Sequence, residues 1–264
     1  KKKINFLLNY SITTINTKYM TDFSKTFKDL ITQIDIHGDV SKPRDLEVKE
    51  LLLNRVDIDP TKPIANFEAR AFNWKYFAGE MAWYLHRDTD VDYIGQYSGM
   101  WSTLTNPGTN EINSNYGALV LNTEQIGWVV DSLLADNNSR QAIMFFNQPK
   151  FQFKGNKDFV CTMYANFFIK HNKYKDLELG TYHHFADNIH FYERHFELAK
   201  KIKSEDDALE SNINTLILKK PLVDYNGKDV FVTDEGMEFT RRLDQTQGSK
   251  EVNYKNILKD YFTL

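Results

Sequence analysis

The sequence predicts an α+β fold, on three observations. Helical and strand-like patterns follow one another irregularly, without the strand–helix–strand alternation of a parallel sheet. The most apolar stretch, residues 68–86, has helical spacing and little polar surface, so it belongs in a core. A chain of 264 residues with 41% hydrophobic side chains has enough apolar surface for one large core or two small ones.

The opening residues, Lys1 to Tyr10, join a basic cap to a short apolar patch. They lack the long apolar core and small-residue cleavage site of a signal peptide, so 1–20 is expected to be a strand or extended arm. Residues 22–36 carry Phe23, Phe27, Leu30, Ile31 and Ile34 on one helical stripe, closed by Gly38 and Pro43. The stretch 39–45 is expected as an exposed loop, and Glu47 to Ile58 alternates like a strand.

Glu80 sits inside the apolar helix 68–86. A buried carboxylate needs a hydrogen-bonding partner, whereas a wet helix edge needs none, and the pattern leaves both readings open. A short helix and turn are expected over 93–101, and Asn106-Pro-Gly marks a turn. Asn122-Thr-Glu-Gln125 has the form of a capping box, opening a helix through Leu134. A strand is expected over 142–146, another over 179–185 and a helix over 188–202. The segment 204–264 is more polar, with helical stretches near 205–215 and 253–262 and a turn at Tyr225-Asn-Gly-Lys. It is expected as an extension of a single domain covering 1–264.

The bulk numbers narrow the partners. Net charge is −3, so nothing draws the whole molecule to nucleic acid or an anionic membrane. No apolar run approaches the ~20 residues of a membrane helix. A single cysteine rules out an internal disulfide framework and suits a reducing, cytoplasmic setting.

That cysteine stands in Asp158-Phe-Val-Cys161-Thr-Met-Tyr-Ala-Asn-Phe-Phe-Ile169. Phe159, Cys161, Met163, Ala165, Phe167 and Ile169 fall on one face at a strand's period, which is expected to be buried. Cys161 then reads either as a small buried hydrophobe or as a nucleophile. His183, His184 and His195 invite a metal reading, but no standard zinc spacing is present and no metal is expected.

Several blocks, taken in order, carry a resemblance. They are Pro43-Arg44 with Lys49-Glu50-Leu51, and Gly79-Glu80-Met-Ala-Trp83-Tyr-Leu85 with Asp88-Thr89. Glu111-Ile-Asn-Ser-Asn-Tyr116-Gly117, Ser139-Arg140 and Asp158-Phe-Val-Cys161-Thr follow. The last runs from Leu177-Glu-Leu-Gly180 through Asp187-Asn-Ile-His190-Phe-Tyr192-Glu-Arg-His195. Together these blocks, over about residues 20–200, resemble the thymidylate synthase family, and within it the deoxypyrimidine-nucleotide hydroxymethylases.

The resemblance implies a mixed sheet with buried helices, dimerising through the sheet face. It implies transfer of a one-carbon unit from 5,10-methylenetetrahydrofolate to carbon 5 of dCMP or dUMP. Cys161 would attack carbon 6, Glu80 would manage protons, and Tyr116 would support proton removal at carbon 5. Trp101 would pack on the folate. Arg44 and Arg140 would hold the phosphate, with Ser139 and Arg140 reaching into the partner subunit. His190 and Tyr192, with Asp187 in the same block, would bind the sugar. By analogy such a protein serves a phage in its host's cytoplasm.

Three departures sharpen this. Thr162 follows the cysteine where thymidylate synthases have His, which favours hydroxymethylation over methylation. Gln141 stands where the family has a second partner arginine. After Lys173 a few dozen residues of the family pattern have no counterpart. That implies either an intact protein with a further internal segment or a degenerate, catalytically silent relative.

Overall fold

A computed structural model describes residues 23–65, 67–121, 124–169, 182–205 and 216–264, with the side chains of Arg44, Tyr182 and His183 excepted. The 1–20 arm and the 205–215 helix fall almost wholly outside the described residues, as do Asn122 and Thr123 of the expected capping box. The described chain forms two compact units.

The smaller unit comprises the stretch up to Phe72 and the strand and helix that end near Glu205. Its antiparallel sheet has strands Asp39–Ser41, Val48–Ile58 and Tyr182–Tyr192 in that order. Val48 pairs with Tyr192, Glu50 with His190 and Leu52 with Asn188. The expected 39–45 loop is instead a short edge strand and the 3-10 turn Pro43–Asp45, because Asp39–Ser41 finds backbone partners on Val48–Glu50. Helix Phe23–His37 buries Ile31 against Ala65, Phe67, Ala199 and Ile202. The last two belong to helix Phe196–Ser204. The helix expected from residue 188 therefore starts eight residues later. Residues 188–192 are claimed by ladder hydrogen bonds to the central strand, a tertiary pairing that overrides local helical spacing.

The larger unit is built on helix Trp74–His86. The Asn73 side chain accepts from the Tyr76 N–H and fixes the start, so the helix is shorter than 68–86. Ala78, Gly79, Ala82, Trp83 and Leu85 are buried. Trp83, Val91, Ile94, Trp101 and Ile112 form one core cluster. Helix Val91–Gly95 and the 3-10 turn Trp101–Thr103 supply part of it, as the short-helix expectation required. A second cluster joins Leu119, Val120, Leu121, Phe151 and Val160. Helix Gln125–Ala135 and the hairpin of Ile143–Phe145 with Tyr164–Asn166 complete this side.

The C-terminal stretch is part of this unit's core. Helix Asp234–Asp244 packs against Trp74–His86 and buries Phe239 and Leu243 completely. Its first turn is acidic and its last basic, which suits the helix dipole, and Thr233 caps it. His86 Nε2 lies 3.1 Å from Asp244 Oδ1. Helix Tyr254–Tyr261 buries Leu258, and the turn at Tyr225-Asn-Gly-Lys joins strands Val223–Tyr225 and Val230–Val232. No helix among the described residues is long and apolar enough to cross a membrane.

Candidate active site

The stretch around Cys161 departs from expectation. Only Tyr164–Asn166 is strand, and the burial phase is reversed in the first half alone: Asp158 and Val160 are buried and Phe159, Cys161 and Met163 exposed, whereas Ala165, Phe167 and Ile169 are partly buried, on the expected face. The cause is Asp158. Its Oδ2 accepts the backbone N–H groups of Asn113 and Ser114 at 2.6 and 2.7 Å, and its Oδ1 accepts the Ser114 hydroxyl. Three donors on one buried carboxylate outweigh the apolar preference of Phe159 and turn Phe159, Cys161 and Met163 outward. Asn113 Nδ2 donates back to the Asp158 carbonyl at 3.0 Å, and Asn147 Nδ2 holds the Val160 carbonyl at 2.6 Å. The thiol is thus carried on a clamped segment, open to solvent, with its Sγ donating only to the Phe159 carbonyl at 3.4 Å.

The same motif that clamps Asp158 reaches the buried helix. Asn115, wholly buried, donates to the carbonyls of Trp83 and Asp88 at 3.0 and 2.7 Å and caps helix Tyr116–Val120 through Ala118 N. At Gly117 a Cβ would lie 1.7 Å from the Tyr84 carbonyl oxygen, so only glycine lets these backbones meet. This contact sets the Tyr116 ring against Tyr84, stacked at 5.7 Å and 13°. The Tyr116 hydroxyl is 2.9 Å from Thr162 Oγ1, the residue beside Cys161.

Glu80 is half-buried and hydrogen-bonded. Its Oε1 accepts from Tyr76 at 3.0 Å and Tyr84 at 3.1 Å. Burial pushes its carboxyl up from the ordinary range, while the two tyrosine hydrogen bonds pull it back. Burial also pushes the Tyr84 and Tyr76 hydroxyls far up, with the Glu80 charge adding to it, so both remain donors. Trp101 is buried against Trp83, and its indole N–H donates to the Tyr76 oxygen at 3.1 Å. Trp101, expected to pack on the folate, is a largely buried side chain that supports the Glu80 network.

Ser139 and Arg140 lie in the turn before strand Ile143–Phe145, with Ser139 Oγ accepting from Gln141 N at 3.2 Å. Arg140 is exposed and lines a concavity of about 470 Å³ with Trp128, Gln141, Ile143 and Phe145.

In the smaller unit His190 and Tyr192 share one sheet face, their rings edge-on at 5.1 Å. The third member of that face is Asn188, whose side chain bonds to His190 Nδ1 and donates to Glu50. Asp187, expected to bind substrate, falls on the opposite face of the strand from His190 under strand alternation. Hydrogen bonds from Ser41 and Asn188 hold the Glu50 carboxyl below its usual range. The Arg44 side chain and the stretch after Lys173 lie outside the described residues. Among those described, no group of three His, Cys, Asp or Glu side chains is placed to hold a metal ion.

Sequence reasoning missed Tyr76, Tyr84, Asn113, Ser114, Asp158 and Asn188. The four-residue spacing of Tyr76, Glu80 and Tyr84 was the available signal for the first two.

Comparisons with known proteins bear on the family. The family described as Thymidylate synthase matches residues 25–175. Deoxycytidylate 5-hydroxymethyltransferase of Enterobacteria phage T4 is 29% identical over 154 residues, 54% of this chain and 62% of that protein. The same figures hold for the enzyme of that name from phage T2. The chain thus matches less than two thirds of the length of these relatives. The solved structure of thermostable thymidylate synthase A from Bacillus subtilis superposes with a TM-score of 0.53 at 17% identity, covering 70% of this chain and 85% of that one. That likeness shows the fold alone. With more than half of its residues matched in order, this chain belongs to the thymidylate synthase family.

Proposed function

We propose that the protein transfers a one-carbon unit from 5,10-methylenetetrahydrofolate to carbon 5 of dCMP or dUMP, leaving it as hydroxymethyl. The observation that carries this reading is the exposed, clamped Cys161, one residue from the hydroxyl pair Tyr116–Thr162. The Cys161 thiolate adds to carbon 6 of the pyrimidine, and the displaced electrons make carbon 5 nucleophilic. The folate supplies the one-carbon unit that carbon 5 attacks. Tyr116 assists loss of the carbon 5 proton, and Glu80 exchanges protons with the ring. Loss of the carbon 5 proton expels tetrahydrofolate and leaves an exocyclic methylene; water adds to this carbon, and the ring double bond reforms as the Cys161 thiolate leaves carbon 6. Exposed Phe159 and Met163 on either side of the thiol give an apolar surface suited to flat heterocycles.

Thr162 supports hydroxymethyl over methyl, because a small hydroxyl hydrogen-bonded to Tyr116 suits a site that admits water. The phage relatives favour the same product. In the smaller unit, Asn188, His190 and Tyr192 offer donors and acceptors to a sugar hydroxyl. Exposed Trp128 and Phe145 around Arg140 suit the face of a second copy, into which Arg140 would present its guanidinium.

Release of tritium from carbon 5 of labelled dCMP and dUMP tests the chemistry. Exchange is expected in the intact protein and is expected to fall more than about 10⁴-fold in Cys161→Ser, with nucleotide binding kept. Exchange that survives Cys161→Ser refutes the covalent route, and none in the intact protein favours a silent relative. Appearance of dihydrofolate during turnover favours the second reading, methylation of dUMP, which the family match itself motivates.

A further inference from the structure

Two hydroxyls meet on one oxygen of Glu80, from the residues four before and four after it on the same helix. That spacing puts all three side chains on one helix face. The two tyrosines differ in what lies behind them. Tyr76 is tied back into the core by the Trp101 indole. Tyr84 faces the other way: its ring lies flat on Tyr116, whose hydroxyl meets Thr162 beside the nucleophile. Tyr84 therefore touches both Glu80 and Tyr116.

We propose that Tyr84 is a positioning residue that couples the two proton-handling groups, its hydroxyl fixing the Glu80 carboxyl and its ring fixing the Tyr116 phenol beside Cys161. This rests on the reading of Glu80 and Tyr116 given above. Its physical basis is simple. A stacked ring restricts the phenol to one plane, and a hydrogen bond restricts the carboxyl to one rotamer, so both reactive groups take their placement from a single rigid side chain. The hydroxyl stays protonated over any working pH, since burial pushes its titration far up, and so it acts as a fixed donor. The groups that act on the Glu80 titration are Tyr76 and Tyr84, both uncharged.

Tyr84→Phe keeps the ring and removes one donor to the ionised carboxyl. Loss of a donor to the charged form raises a carboxyl's titration. The Glu80 titration, read by infrared or carbon NMR as the signal absent from Glu80→Gln, is expected to move upward. The limb of the kcat–pH profile that disappears in Glu80→Gln is expected to move with it. KM for the nucleotide stays within about twofold while kcat falls on the order of tenfold, the pattern of misplaced proton transfer. Thermal unfolding of Tyr84→Phe confirms that the fold is kept. Tyr84→Leu, which also removes the stack, is expected to combine with Tyr116→Phe less than multiplicatively in kcat, because each variant damages the same unit.

An unmoved Glu80 titration in Tyr84→Phe overturns the hold on the carboxyl, whatever the activity. Multiplicative losses in the second pair overturn the hold on Tyr116. If the titration moves but the intact protein shows no exchange at carbon 5, the enzymatic reading fails while the hold on Glu80 stands.

Discussion

Two carboxylates, one in each unit, are displaced in opposite directions for opposite reasons. Glu80 sits among tyrosines in the larger unit, and burial drives its proton on. Glu50 lies on the open sheet face of the smaller unit, and hydrogen bonds from Ser41 and Asn188 drive its proton off. The first environment suits a group that trades protons. The second suits a fixed charge that orients its neighbours, here Asn188 and through it His190. The Glu80 and Asp158 carboxylates of the larger unit find their donors within the fold, whereas the smaller unit leaves Asn188 and His190 facing solvent.

The contrast breaks most visibly at Asp158. Asp158→Ala leaves two backbone N–H groups and a hydroxyl without their acceptor in a buried place. The expected loss is about 3 kcal/mol of stability, read by denaturant unfolding, together with loss of carbon 5 exchange as the Cys161 segment comes free. The opposite behaviour is expected at His190. His190→Ala changes stability by less than about 0.5 kcal/mol, because the residue is exposed. It raises KM for the nucleotide by roughly tenfold with kcat nearly kept, as loss of a uniform binding contact does. A large fall in melting temperature for His190→Ala would erase the distinction between the two units.

The finest comparison is by pH. The folded Glu80 carboxyl is raised, so its contribution to stability is full below the unfolded value and is lost as pH rises through the folded one. Glu80→Gln should therefore melt higher than the parent at neutral pH, with the advantage vanishing below about pH 4. The folded Glu50 carboxyl is lowered, so its contribution is present above the unfolded value and is lost as pH falls through the folded one. Glu50→Gln should show a small deficit at neutral pH that closes in acid. Melting curves from pH 3 to 8 check both signs.

Much of the fold could be read from residue patterns. The helix over 22–36 and the strand over 47–58 appear within a residue or two, since each buries a clear apolar stripe or ladder. What failed was local pattern set against distant partners. Residues 188–192 have helical spacing but are taken by the central strand. Phe159, Cys161 and Met163 look like an inward face, yet Asp158 finds donors 44 and 45 residues away and reverses the phase. Helix Asp234–Asp244 escaped notice because its composition is polar, although its dipole charges and Thr233 cap were in view. In the candidate site, Glu80, Tyr116 and Cys161 drew attention through the family resemblance. Tyr84 did not, because its importance lies in what it touches rather than in its own reactivity.

The backbone contact at Gly117 has a consequence for mutational tolerance. The distance between the two aromatic planes is dictated by main-chain spacing, not by how well the rings themselves fit. Exchange among ring types at positions 84 and 116 should therefore keep the fold and the mutual orientation of the rings, whatever it does to activity. Position 117 should admit no replacement, not even a single methyl group.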